Sequence, residues 1–450
     1  MVRLTSNPKI LITTSYKKDK QDIFDSATVN IPRLPRFSWP TRTVSAACRF
    51  IKQNVPEIEV MEYPSWPEYT AKLAEGWDVV GFTGFNYELV ELEEMAHEAR
   101  RQGIREIWSG SYMALSPEAE AFSDKVWLGY AEDSLAELFG RKIARIKHPP
   151  VLITIRVDLT QHISIPYKIV GGLFTQRGCA HKCTFCQAPA YCPRPYRLSI
   201  ESVEEILRFY NSIGIDEVAI GDENFGQFRE HSERVVDILE RYGMRWWVDS
   251  RAELISRSLD DWVRRGLSLT VYGVESVRAS ILDKMRKGTT VELINDLEAR
   301  LGEKGVFSIV TYMLGHEDDT PESILEDLVT IKKIGFDVHQ ITVLTPFPKT
   351  QLWNEVQEKY GIFDRNPKHY DTRHLVWNHP NISPRQMHYL LQTALGYLNV
   401  PFGKYGIGML EMALRRIKED GISFPFKEAV KPILNLKRQL KLGKKYLPFD

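Results

Sequence analysis

Three cysteines within eight residues constrain this chain more than any other feature. They stand in Gln176-Arg177-Gly178-Cys179-Ala180-His181-Lys182-Cys183-Thr184-Phe185-Cys186, with three and then two residues between them. The chain has 5 cysteines, an odd number. So tight a group suits a metal centre in a reducing compartment better than a disulfide framework. Iron–sulfur clusters are held by thiolates. Three thiolates from one loop hold three irons of a cubane and leave the fourth iron open to an outside ligand. A structural zinc site is the other reading, with Cys192 or His181 completing the set. Tetrahedral zinc sites usually pair C-x2-4-C units, and C-x3-C-x2-C-x5-C matches that pattern poorly. Cys48 and Cys192 are expected to be ordinary thiols.

Short apolar strands alternate with helical patterns on both sides of the loop, which predicts an α/β chain. Residues 1–145 are expected to form a Rossmann-like, doubly wound domain, with strands near 9–13, 57–61, 77–82, 106–110 and 125–128. Helices are expected over 44–53 and 89–102, the latter closed by Gly103. Pro149, Pro150 and Pro166 mark 146–166 as a linker. Over 167–375 six strand–helix units are expected, with strands ending near Thr175, Asp222, Ser250, Glu275, Met313 and Leu344. Helices are expected over 202–213, 230–242, 260–265, 291–304 and 322–334. Six units make a partial (β/α)6 TIM-like barrel, in which reactive groups gather at the C-terminal strand ends. Residues 376–450 are expected to be a mainly helical C-terminal region.

Lys+Arg and Asp+Glu both number 59. A balanced chain has no basic field to hold nucleic acid, and none is expected as a partner. The basic stretch 437–445 is expected to be a solvated face. No run of about 18 apolar residues suggests a membrane span. The first residues lack the apolar core of a secretory signal, so a cytoplasmic location is expected.

Beyond the cysteines, the stretch 165–375 resembles the radical S-adenosylmethionine (SAM) superfamily. Val218-Ala219-Ile220-Gly221-Asp222-Glu223-Asn224-Phe225 resembles the second-strand motif that meets the amine of SAM. Asp249-Ser250-Arg251 ends the third strand, and its Arg251 resembles the residue that reaches the SAM carboxylate, a pairing the planar guanidinium suits. Tyr272-Gly273-Val274-Glu275-Ser276, then Lys287-Gly288-Thr289-Thr290, match the branch with methylthiotransferases and cobalamin-dependent enzymes. Tyr312 to His316 and Leu344 to Thr350 match it at strands five and six, although Lys349 stands where glycine is usual. The resemblance implies a 4Fe-4S cluster on Cys179, Cys183 and Cys186, with SAM held by Phe185, Gly221, Asp222, Glu223, Ser250, Arg251, Glu275 and Ser276. It implies reductive cleavage of SAM to a 5′-deoxyadenosyl radical, a small-molecule substrate, and an electron donor such as flavodoxin or ferredoxin. Tyr312, Lys349, His374 and His379 are candidate pocket residues. Trp246, Trp247, Trp353 and Trp377 are expected in cores or interfaces.

The first domain resembles the cobalamin-binding domain that precedes many radical SAM domains. The resemblance rests on Asp78 to Gly84, Ile107 to Tyr112 with Pro117-Glu118, and Gly129 to Leu135. Cobalamin is therefore an expected cofactor, with Gly81, Thr83, Gly84, Ser109, Gly110 and Ser111 as its contacts. The Asp-x-His-x-x-Gly signature is absent from this domain, so no histidine is expected on cobalt. The function expected on this resemblance is cobalamin-dependent methylation of an unactivated carbon. The alternatives are a cobalamin-independent cyclase or rearrangement enzyme, a methylthiotransferase, and a non-catalytic zinc-bound interaction protein. The methylthiotransferase class carries a second three-cysteine set that Cys48 alone cannot supply.

Overall fold

The computed structural model describes residues 7–16, 36–38, 44–158 and 164–399. The strands, in chain order, are β1 (Ile10–Thr13), β2 (Arg36–Ser38), β3 (Glu59–Met61), β4 (Val79–Thr83), β5 (Glu106–Gly110), β6 (Lys125–Val126), β7 (Leu152–Asp158) and β8 (Ser164–Leu173). There follow β9 (Gln176–Arg177), β10 (Tyr196–Arg197), β11 (Glu217–Ile220), β12 (Arg245–Ser250), β13 (Leu267–Glu275), β14 (Phe307–Leu314) and β15 (Val338–Val343).

The first domain is a five-stranded parallel sheet in the order β3-β1-β4-β5-β6. Successive side chains of a strand face opposite sides, and β1 shows it. Ile10 and Ile12 pack with Cys48, Ile51 and Leu135 on one face, and Leu11 packs with Leu92, Met95 and Ile107 on the other. Helices Ala46–Asn54 and Glu132–Glu137 cover the first face, and Leu89–Arg101 the second. Cys48 is thus an ordinary core thiol, its side chain fully buried and pushed up to about 12 by that burial.

The second sheet runs β15-β14-β13-β12-β11-β8-β7-β2. The six strands from β8 to β15 are mutually parallel and form the partial barrel, while β7 and β2 pair antiparallel beyond β8. The expected linker 146–166 therefore contains a strand. Val151-Leu152-Ile153-Thr154-Ile155 has the β-branched content of one. The prolines that suggested a linker fall where a ladder tolerates them: Pro149 and Pro150 precede β7, and Pro166 sits opposite Arg156 at a register shift.

The barrel helices have legible ends. Val291–Lys304 starts at Thr290, whose hydroxyl accepts from the Leu293 N–H, and stops at Gly305 with φ 72°. Pro321–Ile334 ends likewise at Gly335 with φ 91°. The helix expected over 260–265 is longer, Ala252–Arg264. Helix Pro384–Asn399 shields the edge strand β15, and the Asn399 carboxamide bonds both the N–H and the carbonyl of His339, at 3.0 and 2.9 Å. The remainder of the expected C-terminal helical region, 400–450, lies outside the described residues. Among the described residues no helix is long and apolar enough to cross a membrane.

Candidate active site

The cysteine loop leaves the C-terminal end of β8 and is bracketed by the antiparallel pair β9–β10. Its conformation is fixed by the segment that follows β11. Asp222 accepts from the Thr175 N–H and hydroxyl, both at 2.6 Å, and from the Gln176 N–H at 3.2 Å. Glu223 accepts from the Gly178 N–H at 3.1 Å. The Gln227 carboxamide accepts from the Ala180 N–H at 3.0 Å and donates to the Gly178 carbonyl at 2.7 Å. Gly178 has φ 77°, and a Cβ there would lie 2.7 Å from the Cys192 sulfur. On the other side of the loop, the Thr184 N–H reaches the Met285 carbonyl at 3.1 Å.

This loop gathers the three thiols. Burial pushes up Cys179, against lowering by the His181 N–H, and pushes Cys186 up to about 11, against lowering by the Ala188 N–H. Cys183 and Cys179 raise Cys186 further, so the three sulfurs lie near one another. The Arg251 guanidinium donates to the Cys183 sulfur at 3.5 Å. Charge repulsion among neighbouring thiolates is what a cationic cluster relieves, and this donor set fits three irons of a cubane. Cys192, the extra ligand of the zinc reading, faces the Gly178 backbone and donates to the Arg194 carbonyl at 3.5 Å. Among the described residues no three His, Cys, Asp or Glu side chains converge as the shell of a single metal ion.

The structure sorts the residues expected to hold SAM into two groups. Asp222 and Ser250 face into the fold. Both Asp222 oxygens are taken by Thr175 and Gln176, and burial pushes its carboxyl up to about 7. The Ser250 hydroxyl donates to the Phe225 carbonyl at 2.5 Å. Ser276 is also fully buried, its hydroxyl accepting from the Arg278 N–H at 3.1 Å. These three build the site and do not line it.

The second group surrounds the loop. Arg251, buried at the end of β12, pairs with Glu253 and Cys183, and its Nη2 has no hydrogen-bond partner in the chain. That buried, unpaired donor beside Cys183 fits an incoming carboxylate. Glu275 has φ 61° at a bulge in β13 and accepts from Lys287 Nζ at 2.8 Å and from the Thr311 hydroxyl at 3.1 Å. Burial alone lowers the Lys287 ammonium, but the Glu275 carboxylate outweighs it and holds it above its ordinary value. Lys287 also stands 6.0 Å from the Phe185 ring. Gly221 is exposed, with Phe174 beneath it.

Two residues that lie within those motifs but were not among the expected SAM contacts belong here. Asp249 alternates with Arg245 and Trp247 along β12 and is solvent-open from the lumen side, although the sheet surrounds it. Desolvation by those walls pushes its carboxyl up to about 7, opposed by Lys287 and reinforced by Glu275 and Glu223. The parity of β12 carried that signal. Asn224 is wholly buried beside the loop, and neither atom of its carboxamide is bonded. Tyr312 is a core residue bonded to Asp327 at 3.0 Å, and His374 is exposed and paired with Asp371. Lys349 is exposed with φ 65°, so the loop keeps the left-handed geometry that glycine usually supplies. The His379 ring donates from Nε2 to the His316 carbonyl at 2.8 Å, while its Nδ1 accepts from the Asn381 N–H at 3.1 Å.

The first domain docks directly on the cysteine loop. Tyr130 donates to Glu223 at 2.6 Å, Arg177 forms a buried pair with Glu132 at 2.6 Å, and Asn86 donates to Gln187 at 3.2 Å. The Tyr112 and Tyr191 rings stack at 4.5 Å. Four of the six expected cobalamin contacts, Gly81, Thr83, Gly84 and Ser109, are buried within the domain. A Cβ at Gly81 would meet Ile12 at 3.2 Å, and one at Gly84 would meet Leu92 at 2.9 Å, so both glycines serve packing within the domain. Thr83 is buried, and the buried Ser109 hydroxyl bonds that of Ser123. Gly110 and Ser111 keep an open face.

A family model described as the radical SAM superfamily matches residues 173–351. An uncharacterized methyltransferase of Pyrococcus horikoshii is 27% identical over 51% of this chain and 50% of its own length. The chain thus spans about half of that curated relative. The bacteriochlorophyllide d C-8(2)-methyltransferase of Chlorobaculum tepidum is 23% identical over 70% of this chain and 76% of its own. Among solved structures, the radical S-adenosylmethionine methyltransferase TsrM of Kitasatospora setae, with tryptophan and aza-SAM bound, gives a TM-score of 0.61 at 17% identity, covering 90% of this chain and 96% of that one. The same protein with cobalamin and a [4Fe-4S] cluster gives 0.58 at 18% identity, covering 78% of each. At these identities the likeness is one of fold.

Proposed function

We propose, from the premise that this chain is a radical SAM enzyme, that Cys179, Cys183 and Cys186 hold a 4Fe-4S cluster and that SAM docks between it and the open barrel lumen. The observation that carries the reading is the unpaired Arg251 Nη2, buried next to Cys183 at the lumen mouth. Loaded and reduced, the cluster would supply one electron to the SAM sulfonium, whose cleavage at one carbon–sulfur bond would leave methionine and a 5′-deoxyadenosyl radical. The chain does the placing. Arg251 offers its free donors to the SAM carboxylate. Phe185 and the Lys287–Glu275 pair wall the cluster side of the lumen. Asp249 offers an acceptor, and when protonated a donor, to hydroxyl or amine groups of what lies deeper in. Asp222 and Gln227 hold the loop in register. A small-molecule substrate and a one-electron donor protein complete the proposal.

The test is anaerobic reconstitution with iron and sulfide, reduction with dithionite and detection of 5′-deoxyadenosine. A loaded, reduced sample that leaves SAM intact overturns the reading. So does a Cys183→Ala variant with the iron content and SAM cleavage of the parent.

A second, finer reading is cobalamin-dependent methyl transfer, favoured by the fold likeness to the cobalamin-bound methyltransferase. Gly110 and Ser111 are the nominated contacts still open to a corrin edge. Corrinoid content of anaerobically prepared protein decides it: stoichiometric corrinoid supports methyl transfer, and none after incubation with hydroxocobalamin favours a cyclase or rearrangement enzyme.

A further inference from the structure

The segment after β11 is stitched to the cysteine loop residue by residue. Asp222 bonds Thr175 and Gln176, Glu223 bonds Gly178, and Gln227 bonds Gly178 and Ala180. The Gln176 carboxamide closes the pattern by donating to the Asn224 carbonyl. Asn224 lies in the middle of this stitch, close enough to Cys179 for its carboxamide to lower that thiol against the rise that burial imposes. Its side chain has no exposed surface, and neither its Nδ2 nor its Oδ1 finds a hydrogen-bond partner in the chain. Buried carboxamides are ordinarily satisfied. This one is held by its own backbone beside a sulfur, and a thiolate accepts N–H donors.

Resting on the cluster assignment above, we infer that the Asn224 carboxamide donates to the Cys179 sulfur of the loaded protein and raises the reduction potential of the cluster. Reduction adds negative charge, part of which spreads onto the ligand sulfurs. A donor aimed at one of them stabilises the reduced state more than the oxidised one. Hydrogen bonds to the sulfurs are one of the levers that set the potentials of such clusters. Asn224 is then a positioning residue that acts through Cys179 and touches neither SAM nor substrate.

The experiment is an EPR-monitored redox titration of the reconstituted full chain and of Asn224→Leu and Asn224→Asp, with iron and sulfide counted in each. Both variants lose the amide donor at similar size, and both are expected to titrate at more negative potential than the parent, the aspartate at least as far as the leucine. Variants that carry a full cluster and titrate with the parent overturn the inference. A second measurement needs no variant. In protein labelled with 15N in asparagine side chains, HYSCORE of the reduced cluster should show a coupled nitrogen, and its absence also overturns the inference. A parent chain that takes up no iron and sulfide would instead overturn the cluster assignment itself.

Discussion

Lys287 donates to Glu275 at 2.8 Å inside the barrel, in space that exists because residue 273 is glycine. Both side chains are nearly closed to solvent, at 8% and 5% exposure, so neither charge has water to fall back on. Removing one partner of such a pair costs about 3–5 kcal/mol, because the other is left buried and unpaired. Lys287→Met is therefore expected to destabilise strongly in urea unfolding. Lys287→Met combined with Glu275→Met is expected to recover much of the loss. Gly273→Ala should resemble the single variant, since its methyl group would run into both side chains.

Cys192 and Gly178 make a second pair whose roles separate in experiment. Cys192 is a packing residue behind the loop, so Cys192→Ser is expected to keep the iron content of the reconstituted parent. Gly178→Ala meets two penalties, a left-handed φ of 77° and a contact with the Cys192 sulfur. The strain alone is about 1–2 kcal/mol, and it falls on the residue before the first ligand. Iron per chain should drop for Gly178→Ala and hold for Cys192→Ser. The reverse order would make Cys192 a ligand.

Much of this architecture is written in period and punctuation. Thr290 and Gly305 mark the two ends of one helix, and the alternation of Ile10, Leu11 and Ile12 divides one strand between two cores. β7 escaped because prolines flank it, and a proline opposite a register shift looks in one dimension like a linker. The cysteine ligands are legible because their spacing is local. The other site residues are not, because a polar residue at a strand end reads the same whichever way it turns. Asp222 turns inward to Thr175, while Asp249, also near a strand end, faces the lumen. Asn224 becomes conspicuous only when its partners are sought and not found.

Lys349 tests a local cost. It is exposed, and its φ of 65° lies where a side chain is strained and glycine is not. Lys349→Gly relieves about 1–2 kcal/mol of strain in the folded state. The more flexible unfolded chain takes back part of that, about 0.4–1 kcal/mol. A stabilisation of up to about 1 kcal/mol is expected in chemical denaturation, with β15 and the cysteine loop unchanged. A clear loss of stability would mean that the lysine side chain makes a contact worth more than its backbone strain.

His148 predicts a pH dependence with a definite sign. Its Nε2 accepts from the Phe174 N–H at 2.9 Å, so the proton of the neutral ring sits on Nδ1, 2.7 Å from the Pro149 carbonyl. Protonating Nε2 would break the bond to Phe174, one residue before the Thr175 that Asp222 anchors. Burial pushes the imidazole down to about 3, against about 6.5 in an unfolded chain. Between those values the unfolded state binds the extra proton and the folded state does not. Stability from this group is therefore complete above pH 6.5 and is lost as pH falls toward 3, by up to about 1.4 kcal/mol per pH unit. Asp222 works in the opposite direction: its carboxyl, raised to about 7, makes the fold relatively more stable as pH falls from 7 toward 4. The two slopes overlap, so the parent's own pH profile does not isolate either. The difference between the parent and His148→Gln does, because glutamine can still accept from Phe174 but does not titrate. That difference should shrink steadily as unfolding is measured from pH 7 down to pH 4.5. A difference that stays flat over the range would show that the His148 ring takes up its proton in the fold no less readily than in the unfolded chain, and that the Phe174 N–H is held by something other than that ring.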